Sequence, residues 1–141
     1  MPDLVQYQNF KTLGCCVIIP TYNNSNTLEA LILGVLTFTG QVIVVNDGST
    51  DSTRQILLNF PGICILHLDK NKGKGFAIRR GFKEAIKLGY TYAITIDSDG
   101  QHLPEDLPKF IEEPENEPET LIIGSRNLEQ AAIPGGTTFA N

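Results

Sequence analysis

Asp97, Ser98 and Asp99 follow an apolar run, and two carboxylates two residues apart at the end of an extended segment point to the same side. Held that close, they repel each other unless a cation or a hydrogen-bond donor lies between them. A divalent metal removes the repulsion, and carboxylate oxygens favour hard ions such as Mg2+ or Mn2+. Gln101 adds a neutral oxygen at the next same-side position. The same residues are also ordinary turn formers whose side chains accept backbone N–H bonds, so metal binding and a plain turn both remain open on this motif alone.

Two further segments carry polar chemistry. Asn46-Asp47-Gly48-Ser49-Thr50-Asp51 can be a turn with a helix cap, or Asp47 can accept the imide N–H of uracil or the N–H groups of guanine. Tyr22 offers a ring face on which a base can stack, or a half-buried packing surface. Lys70-Asn71-Lys72-Gly73-Lys74-Gly75 opens a helix, where backbone N–H groups and lysines can receive phosphate oxygens; a solvated basic loop is the simpler reading. Ile78 stands where a dinucleotide fingerprint has its third glycine, and no Gly-Lys-Ser/Thr is present, which counts against both common nucleotide motifs. His67 and His102 are read as packing or hydrogen-bonding residues rather than proton shuttles.

The elements that must position these residues alternate. Cys15 to Pro20 is a fully apolar run, the pattern of a strand buried on both faces. A helix follows, with Asn26 as cap, Glu29 completing a capping box and Leu28, Leu31, Ile32, Val35 and Leu36 forming its apolar face. Next come a strand over Gln41 to Asn46, a short helix from about Ser52 to Asn59, and a strand over Ile63 to Leu68. The helix after Gly75 shows an apolar stripe of Ile78, Phe82, Ala85 and Ile86, and Gly89 ends it. A strand over Tyr92 to Asp97, a helix over Glu105 to Glu113 and a strand over Thr120 to Gly124 complete the pattern, with Glu112 to Glu119 as an acidic solvated loop.

Strands alternating with helices predict an α/β fold: a Rossmann-like, mostly parallel sheet covered by helices on both faces. Ligands then bind outside the carboxyl ends of the strands, where all the polar segments above fall. The 141 residues suit one domain, with a core over about 15–126 and an irregular tail over 127–141. A net charge of -5 argues against a nucleic-acid groove, yet an acidic protein can hold a phosphorylated ligand through a divalent cation. No run approaches the roughly 20 apolar residues of a membrane span, and no signal peptide is legible, so a cytoplasmic domain is expected. Cys15, Cys16 and Cys64 lie in apolar runs without metal-ligand spacing and read as small buried hydrophobes.

The ordered set Val17-Ile18-Ile19-Pro20-Thr21-Tyr22-Asn23, Val44 to Asp51, Asn71 to Gly75 and Asp97-Ser98-Asp99-Gly100-Gln101-His102 closely resembles the family 2 glycosyltransferases. The match is best with the branch that contains dolichyl-phosphate mannose synthase and bacterial polyprenyl-phosphate transferases, and it runs from about Cys16 to Arg126. The resemblance implies the nucleotide-binding part of a GT-A fold, with Pro20, Tyr22 and Asn23 lining the nucleoside and Asp47 contacting the base. It places Lys74 and Gly75 on the nucleotide-side loop and Arg79 one helical turn on. Asp97 becomes the first acid of the family's D-x-D signature, near the ribose and the metal, with Ser98 beside it on the nucleotide side. Asp99 and Gln101 become metal ligands, and Arg126 a basic position near the phosphates.

It also implies an inverting transfer of a hexose from GDP-mannose or a UDP-hexose to polyprenyl phosphate or a glycan, with Mg2+ or Mn2+ stabilising the departing diphosphate. No catalytic base is identified in this chain. After Arg126 only Asn127 to Asn141 remain, so a truncation before the acceptor-binding region is expected, with weak or absent activity and membrane contact only through a longer protein. Two alternatives are kept: a haloacid-dehalogenase-like phosphatase, in which Asp97 would attack phosphorus, and a non-catalytic nucleotide-binding module.

Overall fold

The structure is a computed structural model that describes residues 2–101, 103–116, 123–125 and 138–140, with side chains described up to residue 111. Its element order is α1 (Leu4–Leu13), β1 (Cys15–Thr21), α2 (Ser25–Leu36), β2 (Val42–Asn46), α3 (Thr53–Leu57), β3 (Cys64–His67), α4 (Lys74–Lys87) and β4 (Tyr92–Thr95). A 3-10 turn over Pro104–Asp106, α5 (Leu107–Asn116), β5 (Ile123–Ser125) and β6 (Thr138–Ala140) follow.

Four strands form one parallel sheet in the order β3-β2-β1-β4. β1 and β2 are buried along their whole length, because each is apolar up to its last residue, Thr21 or Asn46, and alternates between two covered faces. Cys15, Val17, Ile19, Val42 and Val44 face a core closed by Phe10 of α1, Leu28, Ile32 and Val35 of α2, Leu57 of α3, and Leu107 and Ile111 of α5. Cys16, Ile18, Ile43 and Val45 face the other way, onto Ala77 and Ala85 of α4. Burial pushes the thiols of Cys15 and Cys16 up to about 12, which leaves them as inert packing groups; Cys64 is only half-buried.

The sequence order turns back between β1 and β4, so the loops after these strands diverge and leave a crevice at their carboxyl ends. Helix α4 approaches the sheet through Ala77, Gly81 and Ala85; a Cβ on Gly81 would lie 2.6 Å from Ile18 Cγ2. This closeness corrects the expected stripe of Ile78, Phe82, Ala85 and Ile86: Ala85 does face the sheet, but beside the small residues Ala77 and Gly81, while Phe82 and Ile86 are 37% and 75% exposed.

Several boundaries differ from expectation. α2 begins at Ser25, so Asn26 lies inside its first turn rather than capping it. α5 runs on to Asn116, through part of the segment expected to be a loop. α1 was not legible in the sequence, although Asp3 accepts from the Gln6 N–H at its start and Gly14, at φ +66°, closes it. The strand expected at Thr120 to Gly124 is Ile123–Ser125, and it pairs antiparallel with β6, an element within the stretch read as an irregular tail. Among the described residues, no helix is long and apolar enough to cross a membrane.

Candidate functional site

β1 ends at Thr21, and the chain then bends sharply through Asn23, a non-glycine residue at φ +53°. That geometry is held from the β2 side. Asn23 Oδ1 accepts from the Thr50 N–H at 2.8 Å and the Asp51 N–H at 3.3 Å, and its own N–H donates to Ser49 Oγ at 3.0 Å. Asp51 completes the join: one oxygen accepts from Ser25 N, at the start of α2, at 3.1 Å, while the other accepts from Thr53 N and Thr53 Oγ1 at 3.0 and 2.6 Å. One carboxylate therefore caps two helices. Partial burial pushes the Asp51 carboxyl up, but these bonds outweigh it and hold the group below its ordinary value.

Asp47, at the end of β2, is 2% exposed. Its Oδ1 accepts from Lys72 N at 2.8 Å, and its Oδ2 accepts from Gly73 N at 2.9 Å and Asn71 Nδ2 at 3.0 Å. Three of the roughly four acceptor positions of a carboxylate are thus filled by one loop, and the open one lies on Oδ1. The loop comes this close because residue 48 has no side chain: a Cβ on Gly48, which sits at φ +71°, would lie 2.4 Å from Asn71 N and from the Lys70 carbonyl carbon. Asn46 adds a second tie, accepting from Ser49 N and sharing a hydrogen bond with His67 Nδ1. Burial and the nearby Arg54 charge hold His67 below its ordinary pKa.

On the β4 side the strand ends at Thr95, and residues 97–99 alternate as the spacing suggested. Ser98 turns inward, 2% exposed; its Oγ donates to the Pro20 carbonyl at 3.1 Å and accepts from Asn24 Nδ2 at 2.8 Å. The Thr27 hydroxyl donates to the Ser98 carbonyl. Asp97 and Asp99 turn the other way, into the crevice, where Lys74 Nζ at the start of α4 meets Asp97 Oδ2 at 2.5 Å.

The result is a cleft of about 360 Å3 lined on one side by Tyr22, Asp47, Asn71, Gly73 and Lys74 and on the other by Asp97, Ser98 and Asp99, with Pro20, Thr21, Asn24 and Ala77 between. Of the residues singled out from sequence, Pro20, Tyr22, Asp47, Lys74, Asp97, Ser98 and Asp99 come together here. Tyr22 is 44% exposed, so its ring is accessible. Asn23 does not line the cleft but shapes the turn beside it, and Gly75 lies in the first turn of α4 next to Arg79.

Gln101 stands apart from this group. The chain turns at Gly100, φ +87°, which breaks the extended alternation, and Gln101 is exposed and outside the cleft lining, with its N–H donated to Asp99 Oδ1 at 3.0 Å. Arg126 and His102 lie outside the described residues. Sequence reasoning missed Asn24 and Ala77, whose parts depend on partners far along the chain; Asn71 and Gly73 carried a signal in the Gly/Lys-rich loop.

The donor set tests the expected cation. Two carboxylates facing one cleft suit Mg2+ or Mn2+, which retain water and ligand phosphates as further ligands. Among the described residues no group of three His, Cys, Asp or Glu side chains forms a cage. The site fits an ion completed by a ligand and not one enclosed by protein alone.

A doubly covered parallel sheet with this cleft at its topological switch point defines an α/β protein with a ligand crevice at the carboxyl edge of its strands. Residues 16–134 match the Glycosyl transferase family 2 domain, and the chain belongs to that family. It is 33% identical over 128 residues to the UDP-N-acetylglucosamine--dolichyl-phosphate N-acetylglucosaminyltransferase of Methanococcus voltae, covering 78% of this chain and 51% of the relative. It is 36% identical over 126 residues to the undecaprenyl-phosphate mannosyltransferase of Micrococcus luteus, covering 84% and 49%. The chain thus spans about half the length of these curated relatives.

The fold is shared with glucosyl-3-phosphoglycerate synthase from Mycobacterium tuberculosis, solved with Mn2+, UDP and glucosyl-3-phosphoglycerate: TM-score 0.65 at 21% identity, over 88% of this chain and 48% of that one. S. aureus TarS gives TM-score 0.55 at 29% identity over 72% and 33%. The family match removes the phosphatase alternative.

Proposed function

We propose that this chain forms the nucleotide-sugar-binding part of an inverting glycosyltransferase that moves a hexose from GDP-mannose or a UDP-hexose to a polyprenyl phosphate or glycan acceptor. The observation that carries this reading is the convergence of Tyr22, Asp47, Lys74, Asp97 and Asp99 on one cleft at the carboxyl edge of the sheet. The named relatives, which act on dolichyl or undecaprenyl phosphate, favour a lipid phosphate as acceptor.

In this reading the base stacks on the exposed face of Tyr22 and donates an N–H to the open position of Asp47 Oδ1. Pro20 and Asn23 shape the nucleoside side of the cleft, and Ser98 fixes the spacing between the two strand ends. Lys74 leaves Asp97 for a phosphate oxygen, while Gly75, beside it at the start of α4, keeps the backbone open to the diphosphate. Arg126 is assigned to the same phosphates from the resemblance. Asp97 and Asp99 would hold Mg2+ or Mn2+ with Gln101 in reserve, and the ion would supply charge neutralisation at the departing diphosphate.

Calorimetry with UDP, GDP and their sugars, with and without Mn2+, tests this on the wild type and on Asp99→Ala. At least one diphosphate binds only when metal and Asp99 are both present, and Asp99→Ala weakens that binding about tenfold or more while changing stability by less than about 0.5 kcal/mol. Metal-independent binding of equal strength in both proteins refutes the assignment.

A further inference from the structure

The overall charge of -5 conceals a strong asymmetry. Seven of the eleven basic residues lie in residues 70–87, against a single acid, Glu84; the rest of the chain holds four basic and fifteen acidic residues. Glu84 is bonded to Arg80 at 3.2 Å and its side chain is only 12% exposed, so it does not offset the outer surface.

Helix α4 buries Ala77, Gly81 and Ala85. On the opposite side Phe76, Arg79, Lys83, Ile86 and Lys87 recur at three- and four-residue spacing, and all are exposed. Phe82 flanks them, and Leu88, just past the helix, is 50% exposed. In the preceding loop Lys72 Nζ lies 4.9 Å over the Phe76 ring. A helix face that is merely solvated carries charges of both signs and few large apolar groups. This one carries cations of one sign interleaved with exposed Phe and Ile.

We propose that the outer face of α4 docks on an anionic membrane surface. The lysines and Arg79 extend to lipid phosphates while Phe82 and Ile86 enter the headgroup boundary, the division of labour that interfacial helices use. Charge complementarity selects this occupant: basic side chains are attracted to anionic lipid, while the acidic remainder of the chain is repelled and faces water. Because α4 begins at Lys74, which lines the cleft, docking sets the cleft mouth beside the headgroups. This inference goes beyond the nucleotide-sugar reading and does not need it.

The test is flotation of the 141-residue chain with phosphatidylcholine vesicles and with vesicles one-third phosphatidylglycerol. The chain floats with the anionic vesicles only, and added salt releases it. Lys83→Gln with Lys87→Gln weakens binding about twenty-five-fold, roughly fivefold for each basic side chain. Phe82→Ser with Ile86→Ser weakens it about tenfold or more at unchanged charge. Lys11→Gln with Lys109→Gln, away from α4, leaves it unchanged. Circular dichroism checks that each variant keeps the wild-type fold.

Equal recovery with neutral vesicles, or wild-type binding by the Lys83/Lys87 variant, overturns the proposal. So does a chain whose binding depends on the lysines but not on Phe82 and Ile86, which points to an acidic protein partner. Self-association in the ultracentrifuge that the Lys83/Lys87 variant abolishes, without vesicle binding, assigns the face to a second copy and also overturns it. Nucleotide binding measured without vesicles stays independent of all these outcomes.

Discussion

Asp47 and the Asp97/Asp99 pair are the same residue type at the same edge of one sheet, yet they are built in opposite ways. Asp47 is buried, and three donors from residues 71–73 occupy its oxygens. Asp99 is exposed, and Asp97 meets a lysine whose side chain is 60% exposed. The β2 side spends its carboxylate on holding the protein's own loop in place, whereas the β4 side turns its carboxylates toward whatever enters the cleft. Changes on the first side should therefore act on folding, and changes on the second on ligand binding with little effect on stability.

The largest effect falls on Gly48. Gly48→Ala forces a methyl group to within 2.4 Å of loop backbone atoms at a positive φ, and neither can shift cheaply. We expect a loss of more than about 4 kcal/mol in denaturant titration, or no folded protein. Asp47→Asn is next: the amide NH2 replaces one acceptor oxygen and faces backbone N–H groups it cannot accept from, at a cost of about 2–4 kcal/mol. A variant as stable as wild type that lost only nucleotide affinity would erase the contrast between the two sides.

Asp51→Asn comes third, at about 1–2 kcal/mol near neutral pH, because one charged cap serves two helix starts. The sign with pH follows from the lowered carboxyl. A depressed folded-state pKa gives stability that is fully present above the ordinary 3.8 and is lost as pH falls through the lower folded value. Acid titration of unfolding should therefore show wild type losing its advantage over Asp51→Asn below that point, and a constant difference down to the lowest pH would contradict the capping role.

The core strands were legible because Cys15 to Pro20 and Val42 to Val45 are apolar without interruption, a pattern that only a doubly covered strand needs. Helix α4 was legible as a helix but not as a packing surface, since hydrophobicity alone cannot reveal that Gly81 rests against Ile18. α1 escaped because it buries only Phe10, although Asp3 and Gly14 frame it as cap and stop. At the site, Asp97 and Asp99 were readable from their spacing of two. Gln101 stands outside the cleft lining because the backbone turns at Gly100 and ends the alternation that carries Asp97 and Asp99. The bonds of Ser98 to Pro20 and Asn24 join residues 78 and 74 positions apart, which no local pattern encodes.

A smaller stability effect than these three belongs to Lys74→Ala, and it sharpens the comparison most. Its ion pair with Asp97 is short, but with the lysine side chain 60% exposed, solvent screens the attraction and ordering the side chain offsets part of the gain. The expected loss is below about 1 kcal/mol, read from the denaturation midpoint. Diphosphate affinity should fall further than that, because Lys74 would otherwise leave Asp97 for the phosphate while the metal takes its place on the carboxylate. Metal alone should then bind Lys74→Ala more tightly than wild type, since no ammonium competes for Asp97. A loss of stability above about 2 kcal/mol would show that the β4 carboxylates, too, are committed to the fold.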